Sequence, residues 1–278
     1  MAISLRNRSA AWQSLPVSSV CWSAPAVTSM ALAAGQRSAS TGRFPRTFHP
    51  CGVGSNMTQI LPPSEQVENV SQFFQIHPEN PQARLIKQAV EIIRKGGVVV
   101  YPTDSSYAIG CQIGDKTAIE RVRRLRQLDE KHNFALICSD LSQLGNYAKI
   151  DTGTFRILKA HLPGPYTFIL NATREVPRLL LHPKKRTIGL RVPSHPIALA
   201  LLAELGEPLM SVTLIMPGDE DPLSDPYEMR QLLEHQVDLI IDGGFGGIKA
   251  STVIDLTGDD PEVIRVGCGD PAPFMVEA

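Results

Sequence analysis

Aspartate, glutamate and lysine are missing from the first 64 positions of this 278-residue chain. That stretch is rich in Ser, Ala, Arg and Pro and has no sustained period of 2 or 3.6, so it lacks an apolar face that folding could bury. An acid-free, Arg/Ser-rich N-terminus has the composition of an organellar transit peptide, and equally that of upstream sequence read from an early start, with Met57 or Val70 opening the folded part. Long apolar runs are also lacking: no window approaches the ~18 residues a membrane-spanning helix needs, so no membrane role is expected. The five cysteines, Cys21, Cys51, Cys111, Cys138 and Cys268, include no CxxC pair. An odd, scattered set fits neither a disulfide framework nor a zinc site, and a reducing cytoplasm is the expected location. Neither GxxxxGK[ST] nor a GxGxxG after a strand occurs, which excludes the two phosphate cradles with the best-known mechanics. Charge of one sign is scarce as well, with a formal net of −1. Residues 1–69 hold five Arg and two acids, so the remainder carries 22 basic against 26 acidic residues, and RNA binding would need a local patch.

Regular punctuation begins near residue 70, and residues 70–278 are expected to form one domain. Asn80-Pro81 reads as a helix start, Leu85, Ile86, Ala89, Val90 and Ile93 as its apolar face, and Gly96-Gly97 as its stop. The β-branched run 98–101 then ends at Pro102, as a strand feeding a turn. Helical patterns cover 117–126, 140–146, 152–160, 196–205 and the segment after Asp225-Pro226. Strand patterns fall at 134–138, 166–170, 187–192, 209–213, 237–241, 252–254 and 263–265. Strands alternating with helices predict an α/β sheet covered by helices.

Three polar segments lie where open α/β sheets usually bind ligands, beyond strand ends. They are Tyr101–Gly110 (YPTDSSYAIG), His161–Thr167 (HLPGPYT) and Ser251–Ile254 with Arg265 on the next strand. Hydroxyls and carboxylates in turns more often cap backbone groups than bind ligands. The run Asp242-Gly-Gly-Phe-Gly-Gly247 is a conceivable anion cradle, but a tight turn is the simpler reading. Arg121, Arg123, Arg124 and Arg126 share one helix and its exit, and Lys184, Lys185 and Arg186 form a second cluster. Guanidinium groups grip phosphates and carboxylates, so the first cluster suits a nucleotide or tRNA, while the second reads as a solvated face. His132 and His195 have no triad partner at a suggestive spacing and read as surface or turn residues.

Together these segments resemble the YrdC-type family along nearly all of residues 75–270. YPTDSSYAIG is similar to the family's YPTDTxYGLG, HLPGPYTFIL to WPGPLTLIL, and TIGLRVPSHPIALALL to TVAVRxPxHPIAxxLL; IIDGG, STVIDL and VIRVG match its closing segments. The resemblance implies a YrdC/RibB-like fold, a twisted mixed α/β sheet flanked by helices with an open, concave basic face. It also implies an activity, the condensation of L-threonine, bicarbonate and ATP into threonylcarbamoyl-AMP and pyrophosphate for a tRNA modification, with Mg2+ accompanying the ATP. Carried over residue by residue, Ser105, Arg191, Ser211 and Ser251 would contact threonine and bicarbonate. Arg126, Asn133, Thr167, Thr213 and Arg265 would contact ATP, and Arg124 and Arg126 would be catalytic. No metal-binding residue is implied. The family's KxR stands here as Arg124-Leu-Arg126, its SxN as Ser211-Val-Thr213, a histidine as Cys138, and the stretch from Arg126 to Asn133 is about three residues longer. These departures resemble the YciO branch. The rival reading is a module that binds double-stranded RNA, tRNA or the ribosome through a basic face, as a monomer or dimer.

Overall fold

The computed structural model describes residues 70–275 except 130, 131 and 133. The expectations for residues 1–69 and for Asn133 therefore lie outside the described residues. In chain order the strands are β1 (Gln72–Gln75), β2 (Val99–Pro102), β3 (Tyr107–Gln112), β4 (Ala135–Ile137), β5 (Tyr166–Asn171), β6 (Thr187–Arg191), β7 (Leu209–Thr213), β8 (Leu239–Asp242), β9 (Thr252–Asp255) and β10 (Glu262–Arg265). The helices are α1 (Ala83–Arg94), α2 (Lys116–Leu125), α3 (Leu141–Tyr147), α4 (Thr152–His161), α5 (Pro196–Leu205) and α6 (Pro226–Leu233). All ten strands join one sheet in the order β1-β8-β2-β3-β7-β4-β6-β5-β9-β10. Pairing is parallel at β1/β8, β8/β2, β4/β6 and β5/β9 and antiparallel elsewhere, so the sheet is mixed.

Alternation along the strands assigns the layers. Val100, Ile109, Leu136, Phe168 and Leu190 point to one face and pack under α2, α3, α4 and α6 through Val122, Leu144, Leu158 and Met229. Val99, Tyr101, Ala108, Leu209 and Ile241 point to the other face and pack under α1 and α5. Strands buried on both faces read as near-continuous apolar runs, which is why 98–101 and 237–241, the latter interrupted only by Asp238, were recognisable.

Helix ends follow local chemistry. The apolar stripe Ile86, Ala89, Val90 and Ile93 of α1 is buried, as its 3.6 spacing requires. The helix starts at Ala83 rather than after Asn80, because His77 Nδ1 already accepts the N–H groups of Glu79 and Asn80 and holds that turn apart from the helix. Asp225 caps α6 by accepting the Tyr227 N–H, with Pro226 in the first turn. His195 caps α5 by accepting the Ile197 N–H, and Gly206 closes it at φ 77. Arg94 Nη2 donates to the carbonyls of Glu204 and Leu205, placing a cation at the C-terminus of α5 and joining the two helices.

Only part of the second face is covered by α1 and α5. Ala135, Ile169, Gly189, Ser211 and Val253 sit on the same face farther along the sheet, and there a cavity opens. Among the described residues no helix is long and apolar enough to cross a membrane.

Candidate active site

Small side chains make the cavity. Ala135 lies between Gly189 on β6 and Ser211 on β7, and Ala108 pairs with Thr213 one row on, so four neighbouring strands offer a floor of almost no side-chain height. A Cβ on Gly189 would stand 3.2 Å from Thr167 Cγ2 and 3.3 Å from the Phe134 carbonyl, which leaves little room for a larger residue. The resulting space is about 460 Å3, walled by apolar groups such as Ile169, Ile215, Val253 and Ile264. It lies on the face of the sheet, not off its strand ends as the sequence suggested.

Three guanidinium groups, Arg126, Arg191 and Arg265, line this space. Arg191 forms an ion pair with Asp104, the two side chains only 7% and 10% exposed. Asp104 also accepts the Ser194 N–H at 3.3 Å and the Ser194 hydroxyl at 3.1 Å, so its carboxylate holds the arginine from below. Arg265 donates through Nε and Nη2 to the Ser251 carbonyl at 3.2 and 2.9 Å, and Thr167 and Ser251 share a 2.8 Å hydroxyl contact. The Nε–H groups of Arg126 and Arg191 are buried without a partner among the described residues. Burial lowers the proton affinity of Arg126, and burial followed by the Arg191 charge lowers that of Arg265. An anion entering here would meet guanidinium groups that are already partly desolvated.

The structure thus brings together Arg126, Thr167, Arg191, Ser211, Thr213, Ser251 and Arg265 of the expected set. Two expected residues stay outside. Arg124 points to solvent from α2, its side chain 80% exposed, with Glu120 at 3.8 Å as its ion partner, because it occupies the polar face opposite Val122 and Leu125. Ser105 is buried, but its hydroxyl meets Thr103 at 3.2 Å, and Thr103 and Ser106 face the cavity instead.

Sequence reasoning overlooked Asp129 and read His132 as a surface or turn residue; His132 is exposed, and the connection between α2 and β4 also brings both to the cavity wall. The extra length of that connection was the available signal. Burial, then the charge of Arg126, depresses the His132 imidazole toward its neutral form, and its ring meets the edge of Phe134 at 5.9 Å. The glycine run is a packing device rather than an anion cradle. Tyr107 donates its hydroxyl to the Gly244 carbonyl and accepts the Gly243 N–H, and a Cβ on Gly247 would lie 1.9 Å from the Ser105 carbonyl. The α2 arginines also separate: Arg121 pairs with Asp238 at 2.8 Å, Arg123 stacks over Phe134 at 5.3 Å, and only Arg126 reaches the cavity.

Fold and cavity define a mixed α/β protein with an arginine-walled cavity on the open face of its sheet. The profile of the Sua5/YciO/YrdC family, described as telomere recombination, matches residues 91–267, and the chain belongs to that family. It is 61% identical over 206 residues to the uncharacterised protein YciO of Escherichia coli K12, spanning 74% of this chain and all of YciO. The crystal structure of E. coli YciO superposes with a TM-score of 0.72. A threonylcarbamoyl-AMP synthase of Nitrosococcus oceani is 35% identical over 159 residues, 57% of this chain and 85% of that protein. Sua5 from P. abyssi, crystallised with L-threonine, is 28% identical with a TM-score of 0.66, covering 71% of this chain and 58% of Sua5.

Proposed function

We propose that this protein condenses L-threonine, bicarbonate and ATP into threonylcarbamoyl-AMP and pyrophosphate, the activated group used to modify a tRNA adenosine. The observation that carries the reading is the convergence of three guanidinium groups, Arg126, Arg191 and Arg265, on one cavity. Guanidinium groups pair with acceptor-rich anions. A carboxylate and a polyphosphate both qualify. Arg191, fixed by Asp104, suits the carboxylate of the amino acid, and Thr167, Ser251 and Arg265 suit the phosphate chain. In the reaction the amine and bicarbonate lose water to form a carbamate. A carbamate oxygen then bonds to the α-phosphorus as the bond to pyrophosphate breaks, and negative charge shifts onto the leaving oxygens. Arg126 and Arg265 are preorganised to stabilise that charge.

Among the described residues no three His, Cys, Asp or Glu side chains group to hold a metal, and Asp129 is the carboxylate on the cavity wall. This donor set does not fit a metal held by the protein alone; Mg2+ would arrive on the phosphates of ATP. Divergence of the α2 arginines favours the enzyme over an RNA-binding module. The test is pyrophosphate release from ATP and bicarbonate with and without L-threonine. Release that threonine does not stimulate refutes the proposal, and tight, strongly salt-dependent RNA binding without nucleotide turnover would decide for the rival.

A further inference from the structure

Beside the cavity floor, on the same face of the sheet, lies a hydroxyl that none of the proposed chemistry uses. Tyr101, on β2, is 1% exposed, and its hydroxyl donates to Ser211 Oγ at 2.7 Å. Ser211 is itself only 3% exposed and lines the cavity. A serine hydroxyl has one proton and two lone pairs, and its proton rotates to suit its neighbours. With one lone pair occupied by the phenol, the Ser211 proton must point elsewhere, and no acceptor among the described residues takes it. The open direction is the cavity. Both ladder neighbours of Ser211, Gly110 and Ala135, have side chains too small to cover it.

We infer that Tyr101 is a positioning residue that holds Ser211 as a hydrogen-bond donor toward an acceptor-only oxygen of the ligand, a carboxylate or phosphoryl oxygen. Burial raises the phenol's proton affinity far above any physiological pH, outweighing the opposing effects of Ser211 and of the Arg191 charge. Tyr101 therefore stays protonated, and the direction of the contact does not reverse with pH. The Arg191 guanidinium is close enough for its charge to act on the same phenol. The phenol occupies one lone pair of Ser211 and leaves the hydroxyl proton free for an acceptor oxygen of the ligand. The inference rests on the proposed function for the identity of its ligands but not for its geometry.

The experiment is a double-mutant cycle on the full chain with Tyr101→Phe, Ser211→Ala and both together. Affinities for L-threonine and for ATP are measured separately by calorimetry. Tyr101→Phe should weaken one of the two by about 5- to 10-fold, within the range expected for losing one hydrogen bond between neutral groups. The ligand affected identifies the oxygen that Ser211 meets. In the Ser211→Ala background the same change should add less than about twofold, because Tyr101 acts only through that serine. Parent-like affinity for both ligands in Tyr101→Phe, or additive losses in the double variant, overturns the inference. A second arm needs no ligand. The Tyr101 hydroxyl proton should exchange slowly enough to give its own NMR signal, with cross-relaxation to the Ser211 β protons, and the signal should vanish in Tyr101→Phe. A parent that binds neither ligand overturns the proposed function alone, and the NMR arm then decides, its signal supporting the relay and its absence refuting it.

Discussion

Replacing Asp104 by asparagine tests how the cavity's central cation is held. The amide keeps the size of the carboxylate and can still accept from Ser194, but it leaves the Arg191 guanidinium, 7% exposed, without a counter-charge. Breaking a buried ion pair from one side costs ~3–5 kcal/mol, because the remaining charge stays desolvated. Water in the adjoining cavity relieves part of this, so the lower end, about 3 kcal/mol, is expected. For a folded region of about 200 residues each kcal/mol lowers Tm by ~2–4 °C, which gives a drop of roughly 6–12 °C in a thermal melt. A paired change, Asp104→Leu with Arg191→Met, removes both charges and should recover most of that loss while abolishing ligand binding, since apolar replacement of a buried pair is often neutral. Two outcomes refute the reasoning. One is an Asp104→Asn protein that melts within about 2 °C of the parent, corresponding to less than ~1 kcal/mol. The other is a paired variant no more stable than the single one.

Arg126→Ala should weaken ATP binding by about tenfold or more, as expected for a lost charge-assisted donor, whereas Arg124→Ala, on the solvent face, should change it by less than about twofold; calorimetry compares them. Gly247→Ala drives a methyl into the Ser105 carbonyl and should lower Tm by several degrees, unlike Gly145→Ala, where the added carbon meets nothing. Stability should fall as the pH drops below about 6.5. His132 and His195 both bind protons less readily in the folded state than in the unfolded chain, mainly through burial, so the unfolded state gains protons first. Melts from pH 7 to pH 5 of the parent and of His132→Gln with His195→Asn should show a flatter profile in the variant, and identical slopes would remove the histidines as the cause.

Much of the fold was legible because it follows from period. The α1 stripe and the runs at 98–101 and 237–241 carry their structure in apolar spacing alone. Strand β3 did not, since Tyr101–Gly110 reads as one polar turn, and only the pairing of Tyr107–Gln112 with β2 and β7 turns its second half into a central strand. Edge strand β1 is four residues long with a half-exposed pattern, too short to stand out. The site residues on strands, Thr167, Arg191 and Ser211, were recognisable because they sit inside ordered motifs. Arg124 was misleading because a motif fixes sequence position and not helical face. Asp129 was invisible, and the approach of His132 to the cavity could not be read, because a loop's path depends on what it packs against, and the Tyr101–Ser211 contact spans strands that are 110 residues apart.

The placement of β8 bears on how the chain acquires its shape. This strand stands between β1 and β2, yet the parallel partners Gln72 and Leu239 are separated by 167 residues, with most of the sheet encoded between them. Until β8 has left the ribosome, β1 has no neighbour and β2 keeps an open edge. At ~5–20 residues per second that interval lasts roughly 10–30 s. During it the chain exposes an unpaired strand edge and the apolar side of α1, features that invite association with other nascent chains. Closure of this side of the sheet is therefore a late event with a high loop-closure cost, and a chain cut short before residue 239 would leave β1 unpaired and the edge of β2 open.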